Sequence, residues 1–262
     1  MLRTYRREDP RSKPQLAVPV AAVEYLLSEA TTSDPHQTAV ADLTNIAFYY
    51  LLRVGEYTKP RHKGTLTVPF RVMDVTFRDS NGHLIPNHSP FATLLTATEA
   101  TIRIPDQKNG VKGQCVHAQC TNSNFSPVKS LARRVHHIMS NGKPCTTPIY
   151  YYQNPLYTTW RQVTANDISK AIKLAAGAIG LFNLGYEPED VSSHSLRAGG
   201  AMAMHINDVD VVTIRKMGRW KSDTFLMYIH EQISAFAAGV SIKMSNSIPF
   251  RHIAGPTIVQ ET

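Results

Sequence analysis

The sequence predicts an α+β fold that is mostly helical, with a small antiparallel β-sheet inserted after the second helix. Three observations lead to this prediction. Apolar residues recur at helical spacing toward both ends of the chain. Two segments in the middle alternate apolar and polar residues, as half-buried strands do. An Asn-Gly pair in QKNGVKG, a strong tight-turn signal, follows the second of these segments and predicts a β-hairpin.

The first two helices are predicted from their apolar period and from a start signal. VPVAAVEYLLSEA, beginning at Val18, carries apolar residues on one face. A second helix should begin after Asp34, because Asp34 can cap it and Pro35 fits the first helical position. The face of this second helix that should be buried contains Val40, Leu43, Ala47 and Tyr50.

The strands are predicted in the middle of the chain. The alternating apolar residues are Met73, Val75 and Phe77 in VMDVTFRD, and Ala100, Ile102 and Ile104 in ATIRIP. The hairpin that follows ATIRIP carries Lys108 near its tip. These segments therefore supply the predicted sheet.

Helical period returns after the hairpin. SPVKSLARRVHHIM has one apolar stripe, and a loop rich in Tyr, Pro and Asn is expected at residues 144–160. In the next helix, Thr164 and Asp167 stand at capping-box spacing. Three more helices are predicted to start at Ser193, at Asp208, and at Ser222 or Asp223.

Composition restricts the class of protein. The chain has 262 residues, enough for one large domain or two small ones. Its net charge of +8 favours an acidic partner, with plain solubility as the alternative. Its three cysteines, an odd number, favour a reducing compartment over a disulfide framework. No apolar run reaches the roughly 18 residues of a membrane span, and no secretory signal is present. We therefore expect a soluble intracellular protein with an anionic partner.

Two motifs could together hold a phosphate group. In HSLR, His194 and Arg197 stand three residues apart at a helix start and can face one ligand. A guanidinium fork binds two phosphate oxygens, and an imidazole can move a proton near neutral pH. In LLRVGE, Arg53 follows an apolar helix and Glu56 stands three residues on. This pair is either a solvated ion pair or a buried guanidinium oriented by a carboxylate.

Two further residues could complete such a site. Lys108 is either an ordinary charged turn residue or a proton donor placed on the hairpin. Tyr228 follows a Gly-Arg-Trp turn in GRWKSDTFLMYIH, and is either a core aromatic or a nucleophile.

In this order, the motifs resemble those of the tyrosine recombinase (phage integrase) family. That family's signature is an Arg in an Arg-x-x-Glu setting, a Lys on a β-hairpin, His-x-x-Arg, Gly-His or Gly-Trp, and a Tyr. The matching positions are Arg53 with Glu56, Lys108, His194 with Arg197, Gly218 with its neighbours, and Tyr228. The wording HSLRAGG…GRWKSD…YI is most similar to recombinases of eukaryotic mobile elements, DIRS-like and crypton-like.

The resemblance implies DNA cleavage and rejoining without a metal or cofactor. Tyr228 would attack a phosphodiester and form a 3′-phosphotyrosyl bond, which conserves the bond energy for rejoining. Arg53 and Arg197 would clamp the non-bridging oxygens. Lys108 would protonate the departing 5′-oxygen, and His194 would act as acid and base on the tyrosine side.

One position departs from the family's pattern. The family's His or Trp lies nine residues before the tyrosine, where this chain has Arg219, and Trp220 is one residue later. Either Arg219 contributes a third guanidinium or Trp220 donates its indole N–H. Trp220 is preferred because some family members use Trp there.

The predicted organisation is a flexible tail or linker stump at residues 1–17, a catalytic domain at 18–235 and a C-terminal tail at 236–262. The tail would pack on a neighbouring protomer or on its own chain. The resemblance implies double-stranded DNA as partner, a homo-tetramer on DNA, and a nuclear location in a eukaryote or a cytoplasmic one otherwise. Family members usually carry an N-terminal core-binding domain, and only about 16 residues precede the catalytic region in this sequence. Either the chain is a fragment, or another chain supplies that part of the clamp, or the protein no longer recombines efficiently. A DNA-binding relic of a mobile-element recombinase stays open as an alternative, as does a type IB topoisomerase-like enzyme, which shares the chemistry.

Overall fold

The computed structural model describes residues 16–30, 33–61, 67–107, 110–121, 125–154 and 159–221. The helices in these ranges are α1 (Val20–Glu29), α2 (Pro35–Tyr49), α3 (Val54–Tyr57), α4 (Phe91–Leu94), α5 (Pro127–Ser140), α6 (Ala165–Ala178), α7 (Ser193–Ile206) and α8 (Val211–Gly218). The strands are β1 (Val75–Arg78), β2 (Leu84–Ile85), β3 (Glu99–Asp106), β4 (Lys112–Gln119), β5 (Tyr151–Gln153) and β6 (Trp160–Gln162). The predicted class, α+β and mostly helical with a small antiparallel sheet, is confirmed. Among the helices described, none is long and apolar enough to cross a membrane.

Helix α2 lies at the centre of the helical part and packs against α1, α5, α6 and α7. It begins as predicted, because the Asp34 carboxylate accepts the backbone N–H groups of His36 at 2.9 Å and Gln37 at 3.1 Å. Every residue from Ala39 to Phe48 is buried, so this helix is covered on all sides rather than on the one predicted face. A helix enclosed in this way fixes the position of whatever follows its C-terminus.

The main sheet has four antiparallel strands in the order β2-β1-β3-β4. Ala100, Ile102 and Ile104 are fully buried, as predicted from their alternation. The prediction for Met73 is wrong: residues 72–74 form a 3-10 turn, and Met73 is 44% exposed. The strand begins only at Val75, since Asp74 caps the turn by accepting the Arg71 backbone N–H.

Strands β3 and β4 form the predicted hairpin. Their register pairs Ile102 with Val116 and Asp106 with Lys112. The turn closes through hydrogen bonds from the Gln107 N–H to the Val111 carbonyl at 3.1 Å and from the Gly110 N–H to the Gln107 carbonyl at 2.8 Å. Lys108, predicted near the tip of this hairpin, is outside the described residues.

The loop predicted at residues 144–160 contains strand β5 and the first residue of strand β6. Strands β5 and β6 pair Tyr151 with Gln162 and Gln153 with Trp160. Each strand has only three residues, too few for an alternating pattern to be recognised. The buried Arg134 side chain holds this segment to α5 by donating hydrogen bonds to the carbonyls of Ile149 and Tyr151.

The predicted starts of the last described helices are partly wrong. Helix α6 has the expected capping box between Thr164 and Asp167. Helix α7 begins at Ser193, as predicted, and Ser192 caps it. Helix α8 is capped by Asp210, two residues after the predicted Asp208, which has a left-handed φ of 58°. The helix predicted from Ser222 or Asp223 lies outside the described residues.

A pair of glycines brings α7 into backbone contact with its neighbours. A Cβ atom on Gly200 would lie 2.4 Å from the Phe48 carbonyl oxygen and 2.5 Å from Leu51 Cδ2. A Cβ on Gly199 would lie 2.1 Å from the Val18 carbonyl oxygen. These distances leave no room for a side chain, so the GG of HSLRAGG lets α7 approach the C-terminus of α2.

We expect Gly200→Ala to lower the free energy of unfolding by about 3 kcal/mol, because the new methyl group must displace backbone rather than a flexible side chain. Urea unfolding followed by circular dichroism measures this change. Gly177→Ala in α6 is the matched control, since its nearest neighbour is a Phe182 ring carbon at 3.2 Å. Its effect should stay within about 1 kcal/mol, because Ala favours a helix over Gly. Equal stability of the two variants would contradict the close approach of α7.

Candidate active site

The C-terminus of α2 presents an outward carbonyl group in a strained turn. Leu51 has a left-handed φ of 49°. Its N–H donates to the Phe48 carbonyl at 3.4 Å, and the Leu52 N–H donates to the Ala47 carbonyl at 3.0 Å. This is the Schellman pattern, which usually has Gly at the left-handed position. Leucine there costs about 1–2 kcal/mol, a strain that the contacts of its carbonyl group can offset.

Arg197, on α7, binds that carbonyl group. Its Nη1 donates to the Leu51 oxygen at 2.6 Å, and its Nη2 donates to the Gly218 oxygen. The guanidinium carbon lies 4.3 Å from the centroid of the Trp220 ring, a cation–π arrangement. The side chain is only 7% exposed. Arg197 therefore ties α7 to the end of α2 and to the turn after α8.

The Gly-Arg-Trp turn directs consecutive side chains to different partners. A Cβ on Gly218 would lie 1.6 Å from a Trp220 ring carbon, so the indole ring lies directly on the glycine. Arg219 caps α8 with left-handed angles of φ 58° and ψ 38°. Because the backbone turns there, Trp220 covers Arg197 whereas Arg219 points toward Glu56.

Arg219 is a buried guanidinium, 5% exposed. Its Nη2 donates to Glu56 Oε2 at 2.7 Å and to the Leu51 oxygen at 3.2 Å. Its Nε and Nη1 are also buried, and no residue in the described part of the chain accepts a hydrogen bond from them. Burial lowers the pKa of Arg219; the Glu56 carboxylate opposes this shift and the nearby Arg53 charge adds to it.

Glu56 links Arg219 to Arg53. Glu56 is fully buried. Its Oε2 also accepts the backbone N–H of Arg53 at 2.8 Å, and its Oε1 accepts Arg53 Nη1 at 3.1 Å. The alternative of a solvated ion pair is therefore wrong for the carboxylate, although the Arg53 side chain remains 26% exposed.

Gln107 is a member of the cluster that the sequence did not indicate. Its side chain is fully buried, and its Oε1 accepts Arg53 Nη1 at 3.0 Å. Its Nε2 donates to Gln114 Oε1, on β4, at 2.9 Å. The one available signal was its position immediately before the predicted turn, and nothing in that position alone requires burial.

The structure brings five of the predicted site residues into one chain of contacts: Arg53, Glu56, Arg197, Arg219 and Trp220. His194 is exposed on the first turn of α7, three residues before Arg197. Lys108 and Tyr228 lie outside the described residues. The cluster also contains the Leu51 carbonyl group, which no sequence pattern could have named because every residue has one.

The charges of this cluster do not balance. Arg53 and Arg219 both pair with the Glu56 carboxylate, whereas Arg197 donates to backbone carbonyls, so the cluster holds three guanidinium groups and one carboxylate. The C-terminus of α2 adds about half a negative charge. The remaining positive charge can hold an anion. Within the described ranges, no group of three or more His, Cys, Asp or Glu side chains could hold a metal ion.

Comparisons with known proteins show which solved structure has a similar fold. No family model matches the chain, and no curated protein matches it. A solved structure is similar over 88% of this chain with a TM-score of 0.53 and 14% identity: XerH site-specific recombinase bound to its palindromic difH substrate, in a post-cleavage complex. The chain has the fold of a tyrosine recombinase catalytic domain.

The resemblance covers part of the larger protein. This chain spans 54% of the XerH chain. A second solved structure, a Tn1549 transposon integrase fragment in complex with transposon right-end DNA, matches 87% of this chain and 68% of its own length. Its TM-score is 0.41 and its identity 13%, too distant to bear on the fold.

Proposed function

We propose that this chain is the catalytic domain of a tyrosine recombinase, which cleaves and rejoins double-stranded DNA through a 3′-phosphotyrosyl intermediate. The observation that carries the proposal is a cluster of three arginines with one carboxylate: Arg53 and Arg219 pair with the buried Glu56, and Arg197 shares the Leu51 carbonyl with Arg219. The recombinase fold adds support, because the similar XerH structure is a post-cleavage complex with DNA.

The arginines would stabilise the charge that develops on the phosphate during cleavage. A pentacoordinate phosphorus gains negative charge on its non-bridging oxygens, and fixed guanidinium groups stabilise it without reorganising. Arg197 is held by two carbonyl groups and by the Trp220 ring. Arg53 is held by Glu56 and Gln107. Side chains fixed in this way lose little entropy when the phosphate binds.

The proton transfers and the nucleophile are assigned from the sequence. Tyr228 would form the bond to phosphorus as the bond to the 5′-oxygen breaks, and Lys108 would donate a proton to that oxygen. His194 would take the proton of the tyrosine and later return it. Its exposure at the N-terminal turn of α7, on the helix that carries Arg197, is compatible with this role.

At the position where family members have His or Trp, we assign the phosphate contact to Arg219 rather than to Trp220. Two donors of Arg219 are buried without an acceptor in the part of the chain described, and a phosphate oxygen would satisfy them. Trp220 instead supports Arg197 by covering its guanidinium group. This assignment predicts that Arg219 binds the phosphate and that Trp220 positions Arg197.

The wider biological role follows from the same proposal. Site-specific recombination or integration of a mobile element, by a homo-tetramer on DNA, would use this chemistry. The basic composition, with a net charge of +8, suits a phosphate-rich partner.

The test uses a library of nicked duplexes with a randomised central segment, because a nick beside the cleavage site traps the covalent intermediate. Wild-type protein should form a protein–DNA adduct that survives denaturing electrophoresis, and sequencing of the adducts gives the preferred duplex. Tyr228→Phe should form none, since it lacks the attacking oxygen.

Each of the other outcomes would favour a different nucleophile or a different function. An adduct that persists with Tyr228→Phe would show that another residue is the nucleophile. Duplex binding in a gel-shift assay without any adduct would favour the DNA-binding relic. Relaxation of supercoiled plasmid without sequence preference would favour a type IB topoisomerase-like enzyme.

A further inference from the structure

Gln107 joins two parts of the site that are far apart in sequence. Its backbone closes the base of the hairpin turn, since its N–H donates to the Val111 carbonyl and its carbonyl accepts from the Gly110 N–H. Its side chain reaches Arg53, 54 residues earlier, at 3.0 Å. The residue after it is Lys108. A single residue thus contacts one site arginine and forms the attachment of the predicted proton donor.

The contact with Gln107 fixes the orientation of the Arg53 guanidinium group. Nη1 carries two hydrogens, and two acceptors lie within reach, Glu56 Oε1 at 3.1 Å and Gln107 Oε1 at 3.0 Å. Because both hydrogens of Nη1 are donated to these two acceptors, they fix the plane of the guanidinium group. Nη2 also donates to the Arg219 oxygen at 3.5 Å, so its second hydrogen and that of Nε are the donors that can turn toward a ligand.

An amide is required for this arrangement. The Gln107 oxygen accepts from a cation, while its Nε2 donates to Gln114 Oε1 at 2.9 Å. A carboxylate could accept from Arg53 but could not donate to Gln114, and it would add a negative charge to the cluster. An apolar side chain could do neither. Full burial of Gln107 makes both hydrogen bonds costly to lose.

We propose that Gln107 is a positioning residue that couples the Arg53 guanidinium group to the hairpin turn, so that the phosphate clamp and the proton donor of the turn keep one relative placement. This inference rests on the proposed function, which gives Arg53 and Lys108 their roles. Gln107 itself does not touch the reacting atoms. It acts through Arg53 on one side and through the turn on the other.

The test replaces Gln107 with Met, which has similar volume and makes neither hydrogen bond. The substrate is the preferred nicked duplex, prepared with either oxygen or sulfur at the bridging 5′ position. When Tyr228 attacks phosphorus, an oxygen leaving group needs a proton from Lys108. A sulfur leaving group departs as a thiolate, because a thiol has a pKa of about 8.5, and needs no donor.

We expect Gln107→Met to slow adduct formation about 100-fold on the oxygen duplex, since a small misplacement of catalytic groups has effects of this size. On the sulfur duplex the loss should be about a tenth as large, because proton donation no longer limits the step. Gln114→Met removes only the hydrogen bond to the hairpin strand and should show a smaller loss with the same sulfur rescue. It also serves as the second variant if Gln107→Met does not fold.

The control variant is Asn45→Leu, which removes another buried amide with two hydrogen bonds, to the Phe125 carbonyl and to Ser130 Oγ, each at 2.9 Å. Its adduct rate per folded protein should equal that of wild type on both duplexes. Equal losses for Gln107→Met on the two duplexes would overturn the coupling to the turn. Unchanged rates would overturn the positioning role altogether.

A phosphate-binding measurement separates this inference from the proposed function. Inorganic phosphate should raise the melting temperature of wild type and of Asn45→Leu equally, and that of Gln107→Met less, because Arg53 is no longer oriented. If wild type forms no adduct on any duplex, the proposed function fails, and this comparison still decides whether Gln107 orients Arg53. Equal phosphate shifts in Gln107→Met and wild type, or no shift in wild type, would overturn it.

Discussion

Replacing Glu56 with Gln should lower the free energy of unfolding by about 3 kcal/mol, because it leaves buried guanidinium charge without its counter-ion. Glu56 accepts hydrogen bonds from the Arg53 backbone and side chain and from Arg219. In glutamine, one of the two oxygens becomes an NH₂ group that points donors at donors. Guanidinium chloride or thermal unfolding measures the loss.

Two comparison variants make this prediction specific. Glu99→Gln removes a carboxylate whose side chain is 34% exposed and lies 3.9 Å from His117, and it should change stability by less than about 0.5 kcal/mol. Adding Arg219→Leu to Glu56→Gln should recover part of the loss, because it removes one of the unpaired charges. Wild-type stability of Glu56→Gln would show that the cluster does not depend on this carboxylate.

Replacing Arg197 with Lys should slow adduct formation at least about 100-fold on the preferred nicked duplex, although the charge is kept. An ammonium group cannot donate in parallel to the Leu51 and Gly218 carbonyls, and it lacks the planar face that Trp220 covers. The charge would therefore no longer be held where the phosphate needs it. Single-turnover adduct formation, with folded protein verified by circular dichroism, measures the effect.

The matched control is Arg78→Lys. Arg78 also donates to a carbonyl, that of Gly82 at 2.9 Å, but through a solvent-exposed hydrogen bond of a half-buried residue on β1. Its adduct rate should stay within about twofold of wild type, because this hydrogen bond is not part of the arginine cluster. A wild-type rate for Arg197→Lys would remove Arg197 from the phosphate clamp.

Local features of the fold could be predicted because they depend on residues that are neighbours in sequence. The Asp34 cap, the Thr164 and Asp167 capping box and the β3–β4 hairpin each arise within a few residues, and each is confirmed. The failures are also local in origin. Asp208 and Asp210 have the same capping chemistry, so the sequence does not separate them, and the three-residue strands β5 and β6 are too short to show a period.

The contacts that build the site could not be predicted, because they join residues far apart in sequence. Leu51 and Arg197 are 146 residues apart, and Glu56 and Arg219 are 163 apart. Whether such pairs meet depends on the close approach of helices, which Gly199 and Gly200 permit.

The sequence by itself determined the class of fold, the positions of most helix starts, and the residue types that resemble a phosphate site. Only the tertiary structure decided how those residues share their partners. It placed Arg219 on Glu56 and Trp220 on Arg197, and it added Gln107 and the Leu51 carbonyl group to the cluster. The physical reason is that side-chain identity fixes what a group can bind, whereas backbone geometry, here the left-handed turns at Leu51 and Arg219, fixes which partner it reaches.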